Sequence, residues 1–294
     1  MSQEWVTRPE RGNVFAIHFI VWLALTGGRR IARLLLYPIC FYFVLFSGPA
    51  RAASRIYLNR VLLRRAKFRD IFKHYFFFAS TILDRVFLLH GDREIFDVRV
   101  DNPALIEDLV SHQGCILIGG HLGSFEMLHA IGHSQGDFRI NMVMYEDNAK
   151  KLNAVLQSIN PLHNPPVIPL GKIDSMLHIQ EALVRGESIG MLADRTLSGE
   201  KTVACEFLGD QIDLPLGPFR LAAILDRPII LMFGLYQGGN RYNIYLERLT
   251  VLQDATPADR SAAVKLAVRQ FATRLEHYCR LSPYNWFNFY DIWK

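Results

Sequence analysis

Short apolar runs alternate with amphipathic segments from residue 97 onward, and this alternation is typical of an α/β fold. Apolar runs at 115–118, 139–145, 166–170, 188–192, 229–234 and 242–249 predict strands, the last of them an outer strand. Helices are predicted at 103–111, 147–159, 174–185 and 219–225, and a hairpin at 203–214. A longer helix follows Thr256, with one apolar face made of Val264, Val268, Phe271, Leu275 and Tyr278. We therefore expect a mixed, mostly parallel sheet flanked by helices, in one catalytic domain over residues 97–294.

The region before residue 97 carries two apolar, aromatic-rich runs at 14–25 and 34–46, separated by the glycine- and arginine-containing residues 26–33. Each run is shorter than the ~20 residues that a membrane-spanning helix needs, and no small-residue cleavage site indicates a signal peptide. The runs favour an in-plane or re-entrant membrane anchor, with a pair of buried core helices as the alternative. Basic residues between and after them favour a cytoplasmic position for both flanks. Residues 1–96 are thus predicted to form a helical membrane-anchor and basic region.

A one-sided run of cations occupies residues 51–69, before the acid Asp70: Arg51, Arg55, Arg60, Arg64, Arg65, Lys67 and Arg69. With a net charge of +5 and an isoelectric point near 9.0, this run favours an anionic membrane surface or an acidic carrier protein as partner. No recognised motif supports nucleic acid, and a solvated helix face is the alternative. The phenylalanine-rich residues 71–90 predict a helix that packs on the core or lines an acyl groove. The four cysteines lie far apart without a CxxC pair, so neither a disulfide framework nor a zinc knuckle is expected.

The candidate chemistry lies in residues 114–130, GCILIGGHLGSFEMLHA. An apolar strand ends at Gly119 and Gly120, His121 follows at once, and Glu126 comes five residues later at the start of a predicted helix. Imidazole titrates near neutrality, so His121 can accept a proton from a hydroxyl, and a carboxylate can orient the ring. We expect His121 to act as general base with Glu126 as its orienting partner. The alternative is a loop histidine beside a solvated acid.

This block, read as HxxxxE, resembles that of the lysophospholipid acyltransferase superfamily. The wider layout resembles the bacterial lipid A late-acyltransferase branch, which adds lauroyl or myristoyl chains to a glycolipid. The matching parts follow the anchor and the arginine-rich region in order: GGHLGSFEML, Leu192-Ala193-Asp194-Arg195, Phe207-Leu208-Gly209 and Leu216-Gly217-Pro218. The resemblance covers nearly the whole chain.

The resemblance implies that His121 deprotonates an acceptor hydroxyl, which attacks the thioester of acyl carrier protein or acyl-CoA. The acceptor is a lipid or glycolipid, no cofactor is required beyond the acyl thioester, and the enzyme works on the cytoplasmic face of the bacterial inner membrane. The sequence has no GxSxG elbow and no cysteine beside His121, so a covalent acyl-enzyme is not expected. Backbone N–H groups near Gly123, or a basic side chain, would stabilise the oxyanion. Asp194 and Arg195 would shape the site or bind a polar head group, with an ordinary salt bridge as the alternative.

Three features depart from the lipid A pattern. Asp194 is followed by Arg195 where those enzymes usually carry Gln, and Tyr145 is followed by Glu146 and Asp147 rather than by a basic residue. The aromatic residues 284–293 look more like relatives encoded with aryl-polyene pigment pathways. An acceptor of that type is therefore an alternative to lipid A.

Three other functions compete with acyl transfer. Glu126, His129 and His133 share one face of a predicted helix and would suit a hydrolytic metal site, although Gly132 and the lack of a second ligand segment argue against one. We expect no metal. A thioesterase or esterase would use the same His–Glu pair with water. The third is a non-catalytic protein that binds lipid or a carrier.

Overall fold

The computed structural model describes residues 14–105, 114–127, 139–144, 167–171, 174–197, 199–252, 256 and 258–294, with side chains from residue 18 onward. The strands are β1 (Asp97–Asp101), β2 (Ile116–Gly119), β3 (Ile140–Met144), β4 (Val167–Pro169), β5 (Ser188–Leu192), β6 (Thr202–Phe207), β7 (Asp210–Pro215), β8 (Ile229–Gly238) and β9 (Arg241–Leu249). The helices are α1 (Val14–Phe46), α2 (Gly48–Val61), α3 (Phe68–His90), α4 (Ser175–Val184), α5 (Gly217–Leu225) and α6 (Arg260–Leu281).

Seven of the described strands form one sheet in the order β1-β9-β8-β2-β5-β3-β4. Every neighbouring pair is parallel except β8 with β9, so the predicted α/β fold with a mixed, mostly parallel sheet is confirmed. Central parallel strands are covered on both faces and read as continuous apolar runs, and all four residues of β2 are buried. The prediction that 242–249 is an outer strand is wrong, because β1 pairs along the other side of β9.

The predicted hairpin is confirmed as β6 and β7, which pair from Thr202 with Pro215 to Phe207 with Asp210. Leu208 and Gly209 connect them with φ angles of 51° and 82°. Two left-handed residues in a two-residue connection match the right-handed twist of the strands. The hairpin forms a separate two-stranded sheet, and α6 contacts it.

The later helices follow the sequence pattern closely. Helix α6 buries the predicted face of Val264, Val268, Phe271, Leu275 and Tyr278. Helix α4 ends with Gly186 at φ 79°, the left-handed residue expected after a helix C-terminus. Residues 103–105 begin the short helix predicted at 103–111, whereas its later part and the helix at 147–159 lie outside the described residues.

The two apolar N-terminal runs form the single element α1, which is kinked where Gly28 leaves helical geometry (φ 79°, ψ 164°). The break predicted over residues 26–33 is thus confined to one glycine, whose lack of a Cβ permits that conformation. Helix α1 packs against α3, and the large apolar residues that it leaves exposed form what we call its exposed apolar side: Phe19, Trp22, Leu25, Ile31, Leu34, Tyr37, Phe41, Tyr42, Leu45 and Phe46. Among the described helices none alone has the length and hydropathy to cross a bilayer, whereas His18–Phe46 and Gly48–Val61, bent by 96°, satisfy both criteria as a pair.

A largely buried ion pair joins α1 to α3, and a tyrosine of the sheet shares its carboxylate. Arg29 donates from Nε and Nη2 to the two carboxylate oxygens of Asp84 on α3, at 2.7 and 2.8 Å. The hydroxyl of Tyr242 on β9 donates to the same carboxylate at 2.7 Å, and Arg33 hydrogen-bonds the hydroxyl of Tyr236 on β8 at 2.6 Å. Two arginines of the predicted break therefore face the protein interior and fix the kink of α1.

Part of the basic run at 51–69 is also used internally. Arg60 pairs with Asp210 of the hairpin at 3.0 Å, and its guanidinium lies 4.5 Å from the ring centre of Trp293. Arg64 pairs with Asp70 at 2.7 Å. The sequence therefore overstates the charge that this run presents to a partner. The predicted helix at 71–90 is confirmed as α3, which begins three residues earlier.

Candidate active site

His121 and Asp194 meet at the carboxyl edge of the parallel sheet. Strands β2 and β5 are adjacent, with Gly119 in register with Leu192. His121 lies two residues after Gly119, and Asp194 lies two residues after Leu192. The Ala193 N–H donates to the Gly119 carbonyl at 2.9 Å. Because parallel strands end at the same edge, the two loops emerge side by side, where open α/β sheets bind their ligands.

The imidazole of His121 is held by the carboxylate of Asp194. Nδ1 lies 2.7 Å from Oδ1, and the backbone N–H of His121 donates to Oδ2 at 2.9 Å. Asp194 is fully buried, whereas the His121 side chain is 28% exposed. A carboxylate accepts from Nδ1–H, so the lone pair is left on Nε2. This tautomer has the free nitrogen that a general base requires.

The surroundings set the charge of the pair. Burial opposes ionisation of Asp194, but His121 and Arg195 hold the pKa of its carboxyl at about 2. Burial and the charge of Arg195 lower the pKa of His121, and the charge of Asp194 partly opposes them. At neutral pH the carboxylate is therefore charged and the imidazole is neutral and basic.

Trp286 lies on the buried side of the His121–Asp194 pair. Its indole Nε1–H donates to Asp194 Oδ2 at 2.8 Å, and the side chain is 1% exposed. Backbone bonds tie the same segment to the His121 loop, since Phe287 N–H donates to the His121 carbonyl at 2.7 Å and Gly123 N–H to that of Asn285 at 2.9 Å. The aromatic residues that the sequence singled out at 284–293 are thus part of the site, in a role that the sequence did not predict.

A second histidine supports Trp286 from behind. His74 of α3 is fully buried, with Nε2 at 2.7 Å from the Trp286 carbonyl and Nδ1 at 2.8 Å from the hydroxyl of Ser54 on α2. Burial lowers the pKa of His74 to about 4, so the ring is neutral: Nε2–H donates to the carbonyl and Nδ1 accepts from Ser54. This connection links α2 and α3 to the carboxylate through Trp286.

Gly123 allows the close approach of the His121 loop to β8. Its φ of 74° is left-handed, and a Cβ there would overlap the carbonyl of Gly234. The sequence offered backbone N–H groups near Gly123, or a basic side chain, as donors to an oxyanion. Its own N–H instead donates to Asn285, and the N–H of Ser124 donates to Gly234 at 2.8 Å. Gly123 therefore shapes the loop and its own N–H is already used, whereas the donor to the oxyanion stays a prediction.

Glu126 does not occupy the position expected of it. Its carboxylate lies 3.1 Å from Arg85 Nε on α3 and accepts from the Ser124 hydroxyl at 3.1 Å. The bond to His121 Nδ1 comes from Asp194, and Glu126 acts on the ring only through its charge, which favours the protonated form. The chain turns at Gly123 before it reaches Glu126, so the carboxylate faces α3. The orienting contact predicted for Glu126 belongs to Asp194.

Arg195 contacts the C-terminal segment. Nε donates to the side-chain oxygen of Asn288 at 2.9 Å, Nη2 donates to the Phe287 carbonyl at 3.2 Å, and the guanidinium lies 5.7 Å from the ring centre of Tyr290. These contacts fasten the segment that carries Trp286. A direct contact of Arg195 with a polar head group stays a prediction.

The metal alternative is only partly covered by the structure. His129 and His133 lie outside the described residues. Within the described ranges no three His, Cys, Asp or Glu side chains are grouped as metal ligands would be. The four cysteines are buried and unpaired.

A histidine oriented by a buried carboxylate, at the carboxyl edge of an α/β sheet, has the arrangement of an enzyme that activates a hydroxyl or water. The model of a family described as bacterial lipid A biosynthesis acyltransferase matches residues 98–294, from β1 through the C-terminal segment. The chain belongs to this family and is an acyltransferase, which confirms the resemblance seen in its sequence. A comparison with curated proteins finds no match.

Proposed function

We propose that the protein transfers a fatty acyl chain from acyl carrier protein or coenzyme A to a hydroxyl of a lipid or glycolipid, at the cytoplasmic face of the bacterial inner membrane. The observation that carries this proposal is the 2.7 Å contact between His121 Nδ1 and Asp194 Oδ1 in a member of an acyltransferase family. This contact leaves Nε2 free to act as the base. The proposed reaction requires no cofactor beyond the acyl thioester.

The acyl chain passes straight from the thioester to the acceptor hydroxyl, through a tetrahedral intermediate. His121 Nε2 takes the proton of the acceptor hydroxyl as its oxygen attacks the thioester carbonyl carbon. The new C–O bond forms, the C–S bond breaks, and the departing thiolate takes from the imidazolium the proton that the acceptor lost. Asp194, ionised and buried, stabilises the positive ring between these steps. The chain itself forms no covalent bond with the acyl group.

The oxyanion requires a donor other than Gly123, whose N–H is engaged. We assign this role to Arg85, which the Glu126 carboxylate holds beside the HxxxxE loop at 3.1 Å. A cation placed near the developing negative charge stabilises the tetrahedral intermediate. In this proposal Glu126 positions Arg85, and Asp194 positions His121.

Membrane attachment is assigned to residues 1–96, ahead of a catalytic domain at 97–294. The exposed apolar side of α1 supplies the surface that enters the lipid, and the cations that follow it favour an anionic leaflet. An acceptor with a long acyl chain would then reach the carboxyl edge of the sheet from the membrane.

Lipid mass spectrometry tests the proposal and identifies the acceptor. A strain that lacks the gene should lose one acyl chain from one lipid class, and the unchanged gene should restore it. The His121→Ala gene, expressed to the same level, should fail to restore it. Restoration by His121→Ala would contradict the proposal. Release of free fatty acid by the purified protein, with no acylated lipid formed, would favour a thioesterase that uses the same pair with water.

A further inference from the structure

A cleft of about 610 Å³ opens where the second half of α1 crosses the beginning of α3. Neither His121 nor Asp194 lines it, so it is a separate site. Its walls carry four cations, Arg64, Lys67, Arg69 and Lys73. The cleft therefore concentrates positive charge beside the exposed apolar side of α1.

The positive charge of the cleft is only partly neutralised from within. Among the residues that the structure describes, Asp70 is the one acid that lines the cleft, and both oxygens of its carboxylate accept from Arg64, at 2.7 and 2.9 Å. Four cations against one carboxylate leave a net charge of +3. Lys67, Arg69 and Lys73 are exposed, and no described carboxylate is paired with any of the three. This excess attracts an anion.

Aromatic rings form the apolar part of the cleft. Phe41 and Phe68 are each about half exposed, at 50% and 48%, and their ring centres lie 6.2 Å apart. Phe41 also belongs to the exposed apolar side of α1, so the cleft and the proposed membrane surface are continuous. Aromatic and basic residues together at the edge of an apolar surface are typical of the headgroup level of a membrane.

We propose that this cleft binds the phosphodiester headgroup of an anionic phospholipid. Lys67, Arg69 and Lys73 contact the phosphate, while the acyl chains follow Phe41 and Phe68 onto the apolar side of α1. This inference rests on the membrane location given in the proposed function. An anionic lipid matches both the charge and the apolar rim, whereas an acidic protein surface would match only the charge.

Binding of short-chain phosphatidylglycerol to the purified full-length protein tests the proposal, with short-chain phosphatidylcholine as the neutral control. The triple variant Lys67→Gln, Arg69→Gln, Lys73→Gln should lose affinity for phosphatidylglycerol by about 100-fold, because each cation near an anionic lipid contributes on the order of a fivefold factor. A matched variant, Arg260→Gln, Lys265→Gln, Arg269→Gln, removes the same charge from the exposed side of α6 and should bind normally. A third variant keeps the charge of the cleft by the changes Lys67→Arg, Arg69→Lys and Lys73→Arg. It should still bind phosphatidylglycerol, which would show that the cleft tolerates substitution at these positions.

Equal binding by both glutamine variants would overturn the proposal, as would equal affinity for the two lipids. Inorganic phosphate should compete only weakly, and phosphate bound as tightly as the lipid would mean a free-anion site instead. Binding of acyl carrier protein that depends on the three cleft cations, without such dependence for phosphatidylglycerol, would mean a protein-docking surface. His121→Ala separates this site from the proposed function: it should lose acyl transfer and keep lipid binding, since it does not line the cleft.

Discussion

Trp286 and Asp194 are joined by a hydrogen bond of 2.8 Å from the indole Nε1–H to Oδ2, across 92 residues of sequence. The same carboxylate accepts from the ring and the backbone N–H of His121. Three donors from two segments therefore fix both of its oxygens. The orientation of the His121 ring therefore depends on Trp286, which bonds to the carboxylate and not to a ring nitrogen.

Trp286→Phe should lower kcat by about tenfold, because a hydrogen bond to a charged group is lost while the aromatic packing against Tyr57 and Phe207 is largely kept. Steady-state acyl transfer with a fixed thioester donor measures this fall in kcat. Trp293→Phe is the matched control, since its indole donates to a backbone carbonyl at 3.4 Å rather than to Asp194. Equal losses in the two variants would mean that packing alone matters at Trp286.

Asp194→Asn should cost more turnover than Glu126→Gln. The first change removes the carboxylate that orients and stabilises the His121 ring, and the loss should approach that of His121→Ala, about 10²–10⁴-fold. The second weakens the ion pair with Arg85 and the hydrogen bond from the Ser124 hydroxyl, and it leaves the contact between Asp194 and His121 in place. Single-turnover acyl transfer by variants with matched thermal stability makes the comparison. A larger loss in Glu126→Gln would contradict this order and would mean that the placement of Arg85 outweighs the orientation of His121.

The acid limb of the kcat/KM profile should lie below pH 6.5. Burial and Arg195 lower the pKa of His121, so the neutral, basic ring persists to a more acidic pH than that of a free imidazole. Asp194→Asn should move the residual limb still lower, because the carboxylate charge favours the protonated ring. A limb above pH 6.5 in the unchanged protein would contradict this electrostatic description.

His74 should make the fold acid-sensitive. Its pKa is about 4 in the folded protein and about 6.5 when unfolded, so the unfolded chain binds the extra proton between these values. The stability that the neutral ring contributes is complete above pH 6.5 and falls as the pH drops toward 4, by on the order of 3 kcal/mol. Denaturant unfolding across this range measures it. His74→Gln should flatten this part of the pH dependence, and an unchanged slope would remove His74 as its cause.

Asp84→Asn should destabilise the junction of α1 with the sheet. Removing one partner of a nearly buried ion pair leaves Arg29 uncompensated and costs about 3–5 kcal/mol. Asp210→Asn is the control, because its pair with Arg60 is largely exposed and contributes no more than about 1 kcal/mol. Chemical denaturation compares the two, and similar losses would show that the Arg29–Asp84 pair is not a special anchor of α1.

Local patterns were sufficient to predict most of the sheet. Strand β5 is a continuous apolar run and the hairpin carries its own turn signal, so both elements lie where the sequence placed them. The edge strand β1, DVRVD, alternates exposed and half-buried residues, but it is short and mostly charged, and the sequence did not reveal it.

The partner of His121 was hidden for a topological reason. Strands β2 and β5 are neighbours in the sheet but not in the chain, so the adjacency of His121 and Asp194 depends on the strand order. The HxxxxE spacing offered Glu126 as a nearer candidate. His74 and Trp286 were missed because both lie in apolar, aromatic segments, where a buried polar contact leaves no periodic signal.

The segment that carries Trp286 is translated after every strand of the sheet, whereas α1 is translated before all of them. Chains begin to fold from the N-terminal side during synthesis. The proposed anchor is thus available to the lipid before Asp194 has its third donor, and the general base is correctly held only once residues 285–288 have left the ribosome. Under the proposed membrane attachment, a nascent chain would therefore reach the lipid before the His121–Asp194 pair is complete.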